Sequence, residues 1–141
     1  MSAKKKILFV CTGNSCRSQI AHGLLNNIAG DRFEVFSAGL SPNKVHPMAI
    51  EVMKEIDIDI SHHTSDHLDD YLDKNVDVVI TTCDDANESC PFFPGNVMRL
   101  HWSIDDPFES WNKEESNIQL FRDTRNKIEE RVRSFLLSNE I

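Results

Sequence analysis

The chain has 141 residues, with 15 Lys or Arg against 23 Asp or Glu, and a formal net charge of −8. Its 40% hydrophobic and 27% charged residues exclude wholesale disorder, and its length predicts a single domain over residues 1–141. The longest apolar run, residues 7–11, is too short for a membrane span or the core of a signal peptide, and the acidic balance disfavours nucleic-acid binding.

The first half of the chain alternates between strand and helix patterns. Residues 6–10 form an unbroken apolar run, which is typical of a strand buried on both faces. Ile20, Leu24 and Ile28 recur every four residues, which predicts a helix that ends near Gly30. Residues 34–38 then predict a second strand.

The second half continues the alternation. Pro47 suits the first turn of a helix with one apolar face. Residues 77–81 and 97–102 predict a third and a fourth strand. A long last helix is predicted from an apolar stripe without Gly or Pro, formed by Ile118, Phe121, Ile128, Val132 and Phe135.

Strands that alternate with helices indicate parallel βαβ units in a three-layer α/β domain. In such sheets ligands bind beyond the carboxyl ends of the strands. Chemically capable residues follow three of the four predicted strands: Cys11 the first, Cys83 the third, and Asp105 with Asp106 the fourth. The sequence therefore predicts a site at this end of the sheet.

Residues 11–17 (CTGNSCR) are a cysteine, five residues and an arginine between a predicted strand and a predicted helix. Five residues can wrap a tetrahedral oxyanion with their backbone N–H groups, and Arg17 can bind two of its oxygens. Arg17 and the helix N-terminus also favour a Cys11 thiolate, which makes Cys11 the predicted nucleophile. The predicted oxyanion-binding residues are Thr12, Gly13, Asn14, Ser15, Cys16, Arg17 and Ser18, of which Ser18 can donate to the thiolate.

The local charge agrees with an anion site. The first 30 residues contain four basic residues and no acidic one, which leaves −12 for the remainder. The local field decides what a cleft attracts, so this segment can hold an anion that the rest of the chain repels. The alternative is a buried strand-end cysteine beside a surface arginine. A nucleotide-binding P-loop is excluded because no Gly-Lys-Ser/Thr follows.

The Asp105-Asp106-Pro107 segment supplies a candidate general acid, since displacement of an oxygen leaving group benefits from a proton donor. Either aspartate fits this role, and a solvated acidic turn is the alternative.

A second pair of cysteines, Cys83 and Cys90, flanks six mostly polar residues. Thiol–disulfide exchange between them requires that this segment rearrange, and with Cys11 they can form a three-thiol relay. Two unrelated thiols in a surface loop are the alternative. The spacing does not match the usual Cys-x2-Cys of a zinc site.

Together these motifs resemble the thioredoxin-coupled arsenate reductases. The resemblance is carried by residues 11–19 (CTGNSCRSQ), by Cys83 and Cys90 with Pro91 after them, and by His101-Trp102 ahead of the Asp105-Asp106-Pro107 segment. Further matches are Ser37-Ala38-Gly39, Asp59-Ile60-Ser61 and Thr64-Ser65-Asp66. The resemblance implies the fold of low-molecular-weight tyrosine phosphatases, a four-stranded parallel sheet with helices on both faces.

The resemblance also implies a reaction. Cys11 would attack arsenate held by the loop and Arg17, while Asp106 protonates the departing oxygen. Cys83 would attack the adduct and release arsenite, leaving a Cys11–Cys83 disulfide, and Cys90 would carry the disulfide outward to thioredoxin. Cys16 would have no required role.

The implied role is arsenic detoxification by a cytoplasmic enzyme. No bound cofactor is expected, because thioredoxin serves as the external reductant, although a glutaredoxin-linked variant stays open. The expected partners are arsenate and thioredoxin, without nucleic acid or membrane, and the protein is expected to be a monomer.

No metal site is predicted. Some relatives bind potassium with residues that match Asn14, Ser37 and Asp66 plus a glutamate, and this chain has His22 in place of the glutamate. A hard cation prefers oxygen ligands, so His22 is expected to be an ordinary residue on the helix surface. His62, His63 and His67 are expected to lie in an exposed loop.

Two other functions compete with this interpretation. A low-molecular-weight protein tyrosine phosphatase would share Cys11, Arg17 and Asp106 but would not need the second pair of thiols. Phe108 stands where those phosphatases usually have a tyrosine after Asp-Pro, although weak phosphatase activity is compatible with the motifs. The second alternative is a non-catalytic sensor of oxyanions and redox state.

Overall fold

The computed structural model describes residues 4–83, 97–107 and 115–138. Its elements are β1 (Lys5–Cys11), α1 (Arg17–Ala29), β2 (Phe33–Gly39), α2 (Pro47–Lys54), a short 3₁₀ helix (Leu68–Tyr71), β3 (Val78–Thr81), β4 (Met98–His101) and α3 (Glu115–Leu137). The four predicted strands and three predicted helices are confirmed, with boundaries that move by a few residues. No helix in these described ranges is long and apolar enough to cross a membrane.

The strands form one parallel sheet in the order β2-β1-β3-β4, which confirms the predicted α/β fold. β1 pairs with β2 on one side and with β3 on the other. Its carboxyl end therefore lies at the point where the strand order reverses, which is where open α/β sheets bind their ligands.

Each face of β1 packs into a different core. Ile7 and Phe9 join the larger core, in which side chains of α1, α2 and α3 cover one face of the sheet. Leu8 and Val10 face the opposite side and pack with Leu68 of the 3₁₀ helix in a smaller core. Alternate side chains of a strand point to opposite faces, so a strand buried on both sides has no polar position, as the apolar run of β1 predicts.

Local residues explain where α2 begins and where α1 ends. Pro47 opens α2, and the ring of His46 accepts a hydrogen bond from the backbone N–H of Met48 at its N-terminus. Helix α1 starts directly at the end of the oxyanion loop, defined here as residues 12–16, and stops at Gly30. The sheet and α1 thus hold both ends of this loop.

Candidate active site

A cavity of about 180 Å³ lies beyond the carboxyl end of β1. This volume suits a small ion, since pockets for drug-sized ligands are larger. Its lining residues are Cys11, Thr12, Gly13, Ser15, Cys16, Arg17, Ser41, Asn43 and Asp106.

The backbone of the oxyanion loop is arranged to bind an anion. Every carbonyl of residues 11–15 accepts a hydrogen bond from a group outside the loop, so these carbonyls face away from the cavity. In a trans peptide the N–H points opposite to the C=O, and the amides of residues 12–16 therefore point inward. The carbonyls of Cys11, Thr12, Gly13 and Ser15 accept from the amides of Leu40, Ser41, Asn43 and His46 at 2.8–3.2 Å.

Gly39, at the end of β2, lets this neighbouring segment approach the loop. A Cβ atom at this position would lie 2.7 Å from the carbonyl oxygen of Thr12 and 2.8 Å from the amide nitrogen of Asn14. Both atoms belong to the backbone and cannot move aside cheaply. Only glycine therefore permits this contact.

Asn14 has the left-handed conformation that the loop requires, with φ of 49°. Its carbonyl accepts hydrogen bonds from Gln19 Nε2 at 3.0 Å and from Ser65 Oγ at 2.8 Å. Its side-chain Oδ1 accepts from the backbone N–H of Asp66 at 3.0 Å. Asparagine tolerates this conformation better than most residues, and these contacts hold it there.

Cys11 is buried, and its sulfur lies 2.9 Å from the hydroxyl oxygen of Ser18. The side-chain amide of Asn14 donates to the same hydroxyl oxygen at 2.7 Å. The hydroxyl hydrogen of Ser18 therefore remains available to donate to the sulfur of Cys11. Ser18 thus lies within hydrogen-bonding distance of the Cys11 sulfur, as the sequence predicts.

Arg17 and Asp106 line the same cavity as Cys11. Arg17 is buried, its Nη1 donates to the carbonyl of Ile104 at 3.0 Å, and its Nη2 lies 3.5 Å from Oδ2 of Asp106. Asp106 lines the cavity together with Cys11, whereas Asp105 is not among the lining residues. The geometry thus favours Asp106 over Asp105 as the proton donor, a choice that the spacing alone left open.

Cys83 lies next to the oxyanion loop, as the sheet topology predicts. It is buried, its sulfur is 3.3 Å from the hydroxyl oxygen of Thr12, and it packs in the same small core as Cys11. Cys11, Cys16 and Cys83 are all buried, and none of them forms a disulfide in the described part of the chain. Cys90, the third member of the predicted relay, lies outside the described residues.

Cys16 differs from Cys11 in its electrostatics. Burial, together with the nearby Cys11 and Asp106, raises the pKa of the Cys16 thiol far above its usual range. A thiol that stays protonated is a poor nucleophile. This agrees with the prediction that Cys16 has no required chemical role.

The expectation that His22 is an ordinary surface residue is wrong. Its imidazole stacks on that of His63, with ring centroids 4.3 Å apart, and its Nδ1 lies 3.0 Å from the hydroxyl oxygen of Ser37. Burial, followed by the nearby His63 and His62, lowers the pKa of His22 to about 3. The apolar pattern of α1 could not show this, because the partners of His22 come from β2 and from the segment before the 3₁₀ helix.

His62 and His67 are exposed as predicted, whereas His63 is half-buried. Within the described ranges, no three His, Cys, Asp or Glu side chains are arranged to hold a metal ion.

Gln19 and Ser65 support the site, although the spacing assigned them no role. Both residues fall within motifs that carried the family resemblance, and this was the available signal. Ser41 and Asn43 were also missed as lining residues, since nothing in the sequence of the β2–α2 connection marks them.

Comparison with known proteins places this geometry in a family. The profile described as low molecular weight phosphotyrosine protein phosphatase matches residues 6–141. An arsenate reductase of Staphylococcus aureus (strain N315) is 52% identical over 120 residues, which cover 85% of this chain and 89% of that protein.

Two solved structures are similar over nearly the whole chain. An arsenate reductase in its oxidised state superposes with a TM-score of 0.80 at 33% identity, covering 94% of this chain and 97% of the other. A thioredoxin-dependent arsenate reductase of Corynebacterium glutamicum superposes with a TM-score of 0.72 at 32% identity, covering 98% of this chain and 65% of the other.

Proposed function

The chain belongs to the low molecular weight phosphotyrosine protein phosphatase family, and we propose that it reduces arsenate to arsenite. The observation that carries the proposal is the buried thiol of Cys83, which comes from outside the oxyanion loop and lies against it. A phosphatase needs only Cys11, Arg17 and a proton donor. Cys83, whose sulfur lies beside the Thr12 hydroxyl, supplies a further thiol that can form a disulfide with Cys11.

The first step is nucleophilic attack of the Cys11 thiolate on arsenic. The inward amides of the oxyanion loop and the Arg17 guanidinium bind the arsenate oxygens and stabilise the developing charge. Asp106 protonates the departing oxygen, which leaves as water. A sulfur–arsenic bond has then formed, and arsenic is still As(V).

The second step reduces arsenic. The Cys83 thiolate attacks the sulfur of Cys11, and the sulfur–arsenic bond breaks with its electron pair going to arsenic. Arsenite leaves as As(III), and the two electrons come from the thiols, which end as a Cys11–Cys83 disulfide. The packing of Cys83 with Cys11 in the small core supports this step.

The third step regenerates Cys11. The Cys90 thiolate attacks Cys83, which releases the Cys11 thiolate and forms a Cys83–Cys90 disulfide. Thioredoxin then reduces this disulfide by thiol–disulfide exchange. The thioredoxin-dependent relative supports this choice of reductant. We extend the proposal to a monomer that acts in the cytoplasm.

A coupled assay tests the proposal. NADPH consumption is measured with thioredoxin, thioredoxin reductase and arsenate for wild type and for Cys11→Ser, Cys83→Ser and Cys90→Ser. We expect turnover in wild type and none in the three variants, whereas the control Ser134→Ala, which removes an exposed hydroxyl on α3, retains it. Substituting glutaredoxin and glutathione for thioredoxin tests the choice of reductant.

A single-turnover experiment separates the steps. With arsenate and no reductant, Cys90→Ser should release one equivalent of arsenite and accumulate the Cys11–Cys83 disulfide, whereas Cys83→Ser should release none. Full multiple turnover by Cys90→Ser with thioredoxin would refute the relay.

Aryl phosphate hydrolysis is the competing activity. The family and the Cys11, Arg17 and Asp106 arrangement favour it as a weak side activity. Efficient aryl phosphate hydrolysis without arsenate turnover would identify a phosphatase instead. Absence of both activities, with retained oxyanion binding, would identify a sensor.

A further inference from the structure

The Gln19 side chain links the oxyanion loop to the segment before the 3₁₀ helix. Its Nε2 donates to the carbonyl of Asn14 at 3.0 Å and to the carbonyl of Thr64 at 2.9 Å. Carbonyl oxygens only accept hydrogen bonds, so the amide nitrogen must occupy this end of the side chain. The orientation of Gln19 is therefore fixed, and its Oε1 faces away from the loop.

His63 completes the hydrogen bonds of Gln19. Its Nδ1 lies 2.8 Å from Oε1 of Gln19, and an amide oxygen only accepts. The hydrogen must consequently sit on Nδ1 of His63. Without this donor, Oε1 of a fully buried glutamine would lose its partner, at a cost larger than the ordinary value of one hydrogen bond.

His22 holds the ring of His63 in place. The two rings are stacked with an interplanar angle of 27°. The ring of His62 contacts that of His63 edge-on, with ring centroids 4.8 Å apart. Burial lowers the pKa of both His22 and His63. The nearby His63 and His62 lower the pKa of His22 further, whereas His62 lowers and Asp59 raises that of His63.

The surroundings of His22 are mainly polar. Asp66 and Tyr71 line the same cavity of about 270 Å³. The phenol of Tyr71 donates to Asp66 at 2.9 Å, so the carboxylate already has a partner. Two neutral rings of His22 and His63 fit this arrangement, because two positively charged imidazolium rings in a stack would repel each other.

We propose that His63 is a positioning residue for the oxyanion loop, acting through Gln19 on Asn14. This inference deepens the proposed function and rests on it. His63 fixes Gln19, Gln19 holds the Asn14 carbonyl outward, and the outward carbonyl keeps the next amide directed at the bound oxyanion. His22 contributes through the stack.

The test measures oxyanion binding without turnover. Inorganic phosphate should protect Cys11 from iodoacetamide, and labelling is measured by tandem mass spectrometry of the tryptic peptide 7–17, which separates Cys11 from Cys16. The variants are His63→Phe, which keeps a ring but has no donor, His63→Ala, and His63→Asn, whose amide can replace the Nδ1 hydrogen.

We expect half-protection to need about five- to tenfold more phosphate in His63→Phe and His63→Ala, the effect of losing one buried hydrogen bond. His63→Asn should restore binding to within about twofold of wild type. Ser134→Ala, which removes an exposed hydroxyl on α3, should leave it unchanged. Unchanged protection in His63→Phe, or equal losses in His63→Phe and His63→Asn, would overturn the proposal.

The stack is tested with His22→Phe and His22→Ala. Phenylalanine can stack on His63 and should retain phosphate protection, whereas alanine should weaken it. Equal losses in the two variants would exclude the stack as the cause. Phosphate protection does not depend on arsenate reduction. The protection assay therefore tests the role of His63 even if the coupled assay shows no arsenate turnover. Conversely, arsenate turnover in the coupled assay would support the proposed function even if the His63 variants bind phosphate normally.

Discussion

At the scale of single residues, the reactivity of Cys11 depends on one hydroxyl group. Ser18 is buried, and Asn14 occupies one lone pair of its hydroxyl oxygen, so its hydrogen can point to the sulfur. Ser18→Ala removes this donor. A hydrogen bond to a charged group contributes about 1.5–3 kcal/mol, and we expect iodoacetamide to label Cys11 at least about tenfold more slowly at pH 7.

The control for this prediction is Ser134→Ala, which removes an exposed hydroxyl on α3. Labelling of Cys11 should not change in this variant. Labelling at the wild-type rate in Ser18→Ala would mean that the loop and Arg17 suffice to stabilise the thiolate.

The two adjacent aspartates provide a matched pair of variants. Asp106 lines the cavity and lies 3.5 Å from Arg17, whereas Asp105 lies outside the lining. Loss of a general acid costs about 10²–10⁴-fold, so Asp106→Asn should lower kcat for arsenate by this factor. Asp105→Asn should stay within about twofold of wild type in the coupled assay. The opposite ranking would transfer the role to Asp105.

At the scale of secondary structure elements, most of the fold follows from the sequence. The apolar run of β1 and the stripe of α3 are periodic signals that tertiary contacts reinforce. The loop motif predicted the candidate site because its chemistry is concentrated within a few consecutive residues. By contrast, the network of Gln19, His63 and His22 joins α1 to a segment that lies 44 residues further along the chain at His63, and no local pattern encodes such contacts.

The contact between β2 and the oxyanion loop depends on Gly39. A Cβ atom there would lie 2.7 Å from the Thr12 carbonyl oxygen. We expect Gly39→Ala to lower the free energy of unfolding by about 1–3 kcal/mol and to weaken phosphate protection of Cys11 strongly, because the loop must shift. Urea unfolding and the labelling assay measure the two effects.

Gly30→Ala serves as the comparison at the opposite end of α1 from the oxyanion loop. A Cβ atom there would meet the backbone carbonyl of Asn26, which is also a contact with backbone. The stability of this variant can fall, but its phosphate protection should not change. If Gly39→Ala left phosphate protection intact, the loop would be less dependent on β2 than the contact distance implies.

At the scale of the whole molecule, the half-buried imidazole of His22 links global stability to pH. The pKa of His22 is about 3 in the folded protein and near 6.5 in the unfolded chain. Between these pH values the unfolded chain binds a proton that the folded protein does not. The free energy of unfolding is therefore unaffected by His22 above about pH 6.5, and it falls as the pH drops towards 3. At pH 5 this single group should cost about 2 kcal/mol relative to pH 7.5.

The contribution of His22 can be separated from that of the other titrating groups. Urea unfolding at pH 7.5 and pH 5.0 is compared for wild type and His22→Phe, which keeps a ring against His63 but cannot take up a proton. Other groups titrate in both proteins, and their effects largely cancel in the difference. We expect wild type to lose about 2 kcal/mol more than His22→Phe on acidification. Equal losses would show that His22 gains no proton on unfolding, which would require an imidazole far more hydrated than its stack on His63 allows.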